Sequence, residues 1–175
     1  MTQSNSPIDI HRESVRAEWV DYNRHMNVAY FVLVFDHATD TFFDHVGLDE
    51  SYRAETNNSV FVVEAHVTYD QEVLEGAALR VTTQILDIDD KRLHLFHRMY
   101  AGESDDLLAT NELMILHMDM DIRRSAPFPK KVLAYLQRLA KEQQGLGKPG
   151  QTGRTIGIRR HDDDAPPVVR GTCHN

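Results

Sequence analysis

The sequence predicts an α+β domain in which one long helix lies across an antiparallel sheet. Three observations carry this. Between Val28 and Val46, apolar residues recur every three or four positions. From Phe61 to Met118, four segments show strand patterning. Short polar turns part those strands, and short turns imply antiparallel neighbours. A helix with a wide apolar face, set after a first strand, must bury that face on the sheet.

Taken in order, residues 1–7 are expected to be a flexible leader. Ile8, Ile10, Val15, Ala17 and Trp19 suggest a first strand, irregular at Glu13-Ser14. Val28, Phe31, Val32, Phe35, Ala38, Thr39, Phe42 and Val46 form the helix stripe. Asn27 is placed to cap it and Gly47 to stop it. A polar loop is expected from Asp49 to Asn58. Strands follow over Phe61–Tyr69, Ala78–Leu86, Arg92–Tyr100 and Leu107–Met118, with turns at Glu75-Gly76, Asp87–Asp90 and Gly102–Asp105. Pro129 opens a last helix at its first position, where a missing N–H costs nothing, and Gly145 ends it. The domain thus spans 8–144. Residues 145–175 are rich in Gly, Pro and charge, and are expected to be a mobile tail.

Composition narrows the function. The formal charge of −8 over 175 residues argues against nucleic-acid binding, which needs clustered Lys and Arg. The single cysteine, Cys173, allows no internal disulfide and fits a cytoplasmic protein. The N-terminus carries no signal-peptide pattern, and no apolar run is long enough to span a membrane. The 10 histidines are scattered. His94 and His97 fall on opposite faces of one strand, so no metal is expected.

One stretch carries the chemistry. Asp21-Tyr22-Asn23-Arg24-His25-Met26-Asn27 brings a carboxylate, two carboxamides and an imidazole to the start of the long helix. There, backbone N–H groups lack intrahelical partners and the dipole is positive, so a developing negative charge is stabilised. The oxyanion donors are expected at Asn27, Val28, Ala29 and Tyr30. A plainer reading also exists: Asp and Asn in such a loop satisfy backbone groups.

The motif Asp21-x-Asn23-x-His25-Met26-Asn27-x-x-Tyr30, in a strand–helix–meander layout, resembles the acyl-thioesterase branch of the hotdog fold. It is similar to acyl-carrier-protein thioesterases and, more loosely, to the 4-hydroxybenzoyl-CoA thioesterase family. The resemblance implies a long central helix wrapped by a five-stranded antiparallel sheet, with a C-terminal helix added here. It implies Asp21, Asn23 and His25 as catalytic residues. Glu72 joins them, because a Glu on the next strand does so in the plant enzymes. It also implies a homodimer, or a dimer of dimers, with the site at the interface, and no metal or redox cofactor.

Three further segments, Val63–Tyr69, Lys91–His97 and Arg124–Pro129, look like the thioesterase domain fused to some bacterial carnitine dehydrogenases. That likeness implies a betainyl-CoA hydrolase. Trp19 and Tyr22 would then be placed to cage a quaternary ammonium. Glu64 and His66, sharing a strand face, are further pocket candidates, though a solvated face or subunit contact suits them too. Arg92, Arg123 and Arg124 are candidates for the CoA phosphates. Two rivals stand beside the hydrolase. A hydratase of the same fold places its His one residue further from the Asp. A non-catalytic acyl-CoA binder would not need a carboxylate near a polyanionic ligand.

Overall fold

The computed structural model describes residues 6–158. Strand β1 spans Ile8–Ser14, helix α1 Val28–Val46 and helix α2 Glu50–Thr56. Strands β2 (Asn58–Tyr69), β3 (Ala78–Ile88), β4 (Arg92–Ala101) and β5 (Leu107–Asp119) follow, then a two-residue β6 (Arg124–Ser125) and helix α3 (Lys130–Glu142). The antiparallel sheet runs β1-β3-β4-β5-β2, with β6 on the end of β5. It curls around α1, the arrangement expected of a hotdog fold.

Helix α1 has the boundaries its apolar stripe predicts. Asn27 caps it, its side-chain oxygen accepting the Ala29 N–H at 3.0 Å. Gly47 ends it in the left-handed region at φ 81°. Its buried face (Phe31, Val34, Phe35, Ala38, Phe42, Val46) meets Leu79, Val81, Met99 and Ala109 at one end, and Ile85, Leu93, Leu95 and Ile115 at the other.

A polar linchpin sits between helix and sheet. Thr39 donates its hydroxyl to the Phe35 carbonyl at 2.7 Å, so it must accept from His97 Nε2–H at 3.1 Å. Thr83 then donates to His97 Nδ1 at 3.0 Å. Every polar atom of the imidazole is used, and its tautomer is thereby assigned as Nε2–H.

Several local expectations are corrected. β1 stops at Ser14, its last pair being with Ala78 at the start of β3. Val15 still exchanges backbone hydrogen bonds with Ala77 and Gly76, at 3.0 and 2.9 Å, and beyond it Ala17–Trp19 forms a 3-10 turn instead of more strand. The expected loop after Asp49 contains α2, capped by Asp49 accepting the Tyr52 N–H at 2.8 Å. Tyr52 in turn donates its hydroxyl to His117 Nε2 at 2.7 Å, which ties the short helix to β5. Pro129 is the N-cap of α3, one position earlier than expected.

The largest difference concerns topology. β2 and β3 are not neighbours; β2 lies at the far edge and pairs with β5. The link over residues 70–77 cannot be a hairpin turn because Val73 is buried in the core and its carbonyl accepts the Met26 N–H at 2.7 Å. The link is therefore stitched to the loop before α1.

The described part of the segment after α3 makes hydrogen bonds as far as Arg154. Gln143 substitutes for a missing strand: its side chain accepts the Ile85 N–H at 2.8 Å and donates to the Thr83 carbonyl at 3.3 Å. The chain then crosses the outer face of the sheet, where Gly153 N–H donates to Glu112 at 2.7 Å. The rest of the expected tail, residues 159–175, and residues 1–5 of the leader lie outside the described residues.

Candidate active site

The motif folds into a closed loop before α1. Val20 and Met26 form an isolated bridge across its base. Within it, Arg24 N–H donates to the Asp21 carbonyl at 2.9 Å, and Asp21 N–H to the His25 carbonyl at 3.0 Å. Arg24 takes the left-handed conformation, φ 68°, that closes such a turn. Asp21 shapes it as Asp commonly does: one carboxylate oxygen accepts the Asn23 N–H at 2.8 Å. The plainer reading of Asp21 is thus also true, but it uses Oδ1 only. Among the described residues no hydrogen bond engages Oδ2, or the exposed side chain of Asn23.

Two backbone contacts seat this loop on the β2–β3 link. Met26 N–H reaches Val73, and His25 forms a bridge with Leu74. The stitching brings Glu72 beside the motif. His25 Nε2 lies 3.4 Å from Glu72 Oε2. Asp21, Asn23, His25 and Glu72 are therefore gathered at one place, the N-terminus of α1.

The backbone donors there are more restricted than expected. Asn27 N–H is spent on the Trp19 carbonyl at 2.9 Å. Ala29 N–H is taken by the Asn27 side chain and Tyr30 N–H by the Asn27 carbonyl, at 3.0 and 2.9 Å. Val28 N–H alone of the four has no hydrogen-bond partner among the described residues, and Val28 is exposed. Of these four amides, Val28 N–H is the one left for an oxyanion.

The proposed pocket residues are not brought together. Trp19 is 3% exposed, stacked on Tyr30 at a centroid distance of 5.5 Å, with the Arg16 guanidinium 4.8 Å over its ring. It has no face left for a ligand. Tyr22, by contrast, is 93% exposed at the loop tip. Glu64 and His66 pair with Met114 and Glu112, on the face of the sheet away from α1. There, with His94, they line a separate hollow of about 490 Å³ partly covered by residues 153–156. The Arg candidates lie at the opposite end of the sheet from the motif. Arg92 is bound to Asp89 within the β3–β4 turn, Arg123 is in a left-handed turn, and Arg124 pairs with Asp119. A larger hollow, about 680 Å³, lies beside β3 and α3, remote from Asp21.

One aromatic residue that sequence reading assigned only to a strand falls at the site. Tyr69, at the end of β2, meets Phe31 of the first turn of α1 edge-to-face at 5.4 Å. Its position three residues before Glu72 was the available signal.

Comparison with known proteins agrees with the fold. The sequence model of the Thioesterase-like superfamily matches residues 15–136. The chain belongs to this family and is a thioester hydrolase. It is 44% identical to the betainyl-CoA thioesterase of Pseudomonas aeruginosa over 154 residues, 88% of this chain and 92% of that one. It is also 35% identical to part of the L-carnitine dehydrogenase/betainyl-CoA thioesterase of Rhizobium meliloti, covering 90% of this chain but 32% of that longer protein. Among solved structures, a Staphylococcus aureus protein in complex with CoA superposes with a TM-score of 0.81 at 33% identity, covering 89% of this chain and all (100%) of that one. A thioesterase candidate from Pseudomonas putida KT2440 gives 0.78 at 39% identity, covering 89% and 99%. No helix among the described residues is long and apolar enough to cross a membrane.

Proposed function

We propose that this chain hydrolyses betainyl-CoA to glycine betaine and free CoA. The observations that carry the chemistry are the His25–Glu72 contact, an Asp21 carboxylate in the same loop with one oxygen unengaged, and the unpaired Val28 N–H where that loop enters α1. The acyl group follows from the activity named for the 44% identical relative.

In this reading the thioester carbonyl points its oxygen at Val28 N–H, where the helix dipole favours negative charge. Asp21 Oδ2 takes a proton from water as the water oxygen bonds to the carbonyl carbon. Alternatively, Oδ2 attacks directly and forms a mixed anhydride that water then opens. Either way the C–S bond breaks as the tetrahedral centre collapses. The proton taken from water returns to the CoA thiolate, directly or through His25. Asn23 orients the water, and Glu72 holds His25. The reaction needs no metal and no electron carrier.

The reading includes a homodimer. Among the described residues strand β2 pairs with β5 on one side and with no strand on the other, and Phe61, Val62 and Val63 are exposed along it. Such an edge is closed by pairing with its symmetry mate. An assembly of two protomers also walls in a site that stands open on one chain. The cytoplasm, where CoA esters and a lone cysteine both belong, is the proposed compartment.

Free-thiol release across betainyl-, acetyl-, octanoyl-, palmitoyl- and benzoyl-CoA tests the proposal. Fast release from betainyl-CoA, reduced 10²- to 10⁴-fold in Asp21→Asn, is expected. A preference for another ester would replace the substrate. Binding without turnover of any would leave an acyl-CoA binder.

A further inference from the structure

A quaternary ammonium acyl group needs an apolar or aromatic wall next to the reacting carbonyl, and Trp19 cannot supply it. We infer that Tyr69 is the specificity residue for the cationic acyl head, presenting a free ring face to the trimethylammonium group while the carbonyl sits at Val28 N–H. The inference rests on the betainyl-CoA reading above and names the group that reads its charge.

Three observations support it. First, Tyr69 is 46% exposed, although it sits at the junction of β2 and α1. Its one ring contact, the perpendicular one with Phe31, occupies at most a single face. No cation and no second ring lies over it among the described residues. Second, Tyr69 meets the first turn of the helix that begins at Val28, through its contact with Phe31. Phe31 is three residues beyond Val28, about 4.5 Å along the helix axis. In a betainyl ester the nitrogen is two bonds from the carbonyl carbon, roughly 2.5 Å away. An acyl chain this short keeps its cation at the first turn of α1, the turn that Tyr69 meets, and a ring face attracts a cation over roughly 6 Å. Third, the local charge has the right sign. Glu72 is three residues on from Tyr69, its carboxylate 73% exposed and meeting only His25. No Lys or Arg contacts Tyr69 or Glu72 among the described residues.

The test compares two esters that differ in charge and not in shape: betainyl-CoA and 3,3-dimethylbutanoyl-CoA, in which carbon replaces nitrogen. Steady-state thiol release is measured for wild type, Tyr69→Phe and Tyr69→Leu. The expected result is that Tyr69→Leu raises KM for betainyl-CoA about tenfold with little change in kcat. The same variant leaves the neutral ester within about twofold, which also reports that it is folded. Tyr69→Phe, which keeps the ring face, stays close to wild type on both. An equal loss on both esters, or a Phe variant as impaired as Leu, overturns the role of the ring face. Wild type that hydrolyses other esters but not betainyl-CoA overturns the substrate reading as well, and that failure is visible before any variant is examined.

Discussion

His25 and Glu72 meet across two segments that the chain order keeps apart: Nε2 of the imidazole lies 3.4 Å from Oε2 of the carboxylate. The contact exists because Val73 is buried and its carbonyl holds Met26. Glu72 is mostly exposed, so its attraction for His25 is screened by water and modest. In the proposed mechanism it acts through His25. Glu72→Gln should lower kcat for thiol release by less than about tenfold, far less than Asp21→Asn, and leave KM nearly unchanged. A loss as large as that of Asp21→Asn would make Glu72 a base in its own right.

Asn27 sets how many amides are left free at the start of α1. Its side chain caps α1 and occupies Ala29 N–H. Asn27→Ala should cost about 1 kcal/mol in stability, read as a lower denaturation midpoint with an unchanged slope. It also frees a second N–H beside Val28. The variant should therefore lose stability without a matching loss of kcat, when assayed well below its melting range.

The buried His97 gives stability a pH dependence. Burial, with a smaller contribution from His11, pushes its pKa from 6.5 down to about 3. The folded protein holds it neutral, whereas the unfolded chain protonates it below pH 6.5. The stability it confers is therefore complete above pH 6.5 and lost as pH falls toward about 3, by up to about 1.4 kcal/mol per pH unit. Unfolding midpoints should decline through this window. The His97 ring resonances should stay fixed between pH 5 and 8, with nitrogen shifts of the Nε2–H tautomer.

The β2 edge predicts an effect on assembly. Val63 is exposed next to the bulge between Val62 and Glu64. Val63→Lys places a charge in the middle of the proposed strand–strand seam. Sedimentation should show wild type as a dimer or larger and this variant as a monomer with an unchanged circular dichroism spectrum. Thiol release should fall with it, because the open site loses its second wall. A wild-type monomer with full activity would refute the shared site.

Much of this was written in local patterns. The 3.6-residue stripe, the Asn27 cap and the Gly47 stop specify α1 on their own, because caps and periodicity act within a turn or two. The strands over 61–118 follow from alternation for the same reason. The clustering of Asp21, Asn23 and His25 at a helix start is likewise local, and it marks the candidate site in the sequence itself.

What the sequence could not determine depends on partners distant along the chain. Alternation says that β2 is a strand but not which edge it pairs with. That was decided by burying Val73 and stitching residues 70–77 to the loop at Met26. Trp19 reads as an available aromatic until Tyr30 and Arg16 are seen covering it, and Tyr69 reads as an ordinary strand residue until Phe31 turns it toward the helix start. Four amides at the start of α1 look equivalent in sequence; three are already bonded, and only the folded loop leaves Val28 free. Local propensity places the groups, while long-range burial and hydrogen bonding decide which of them remain unsatisfied and able to act.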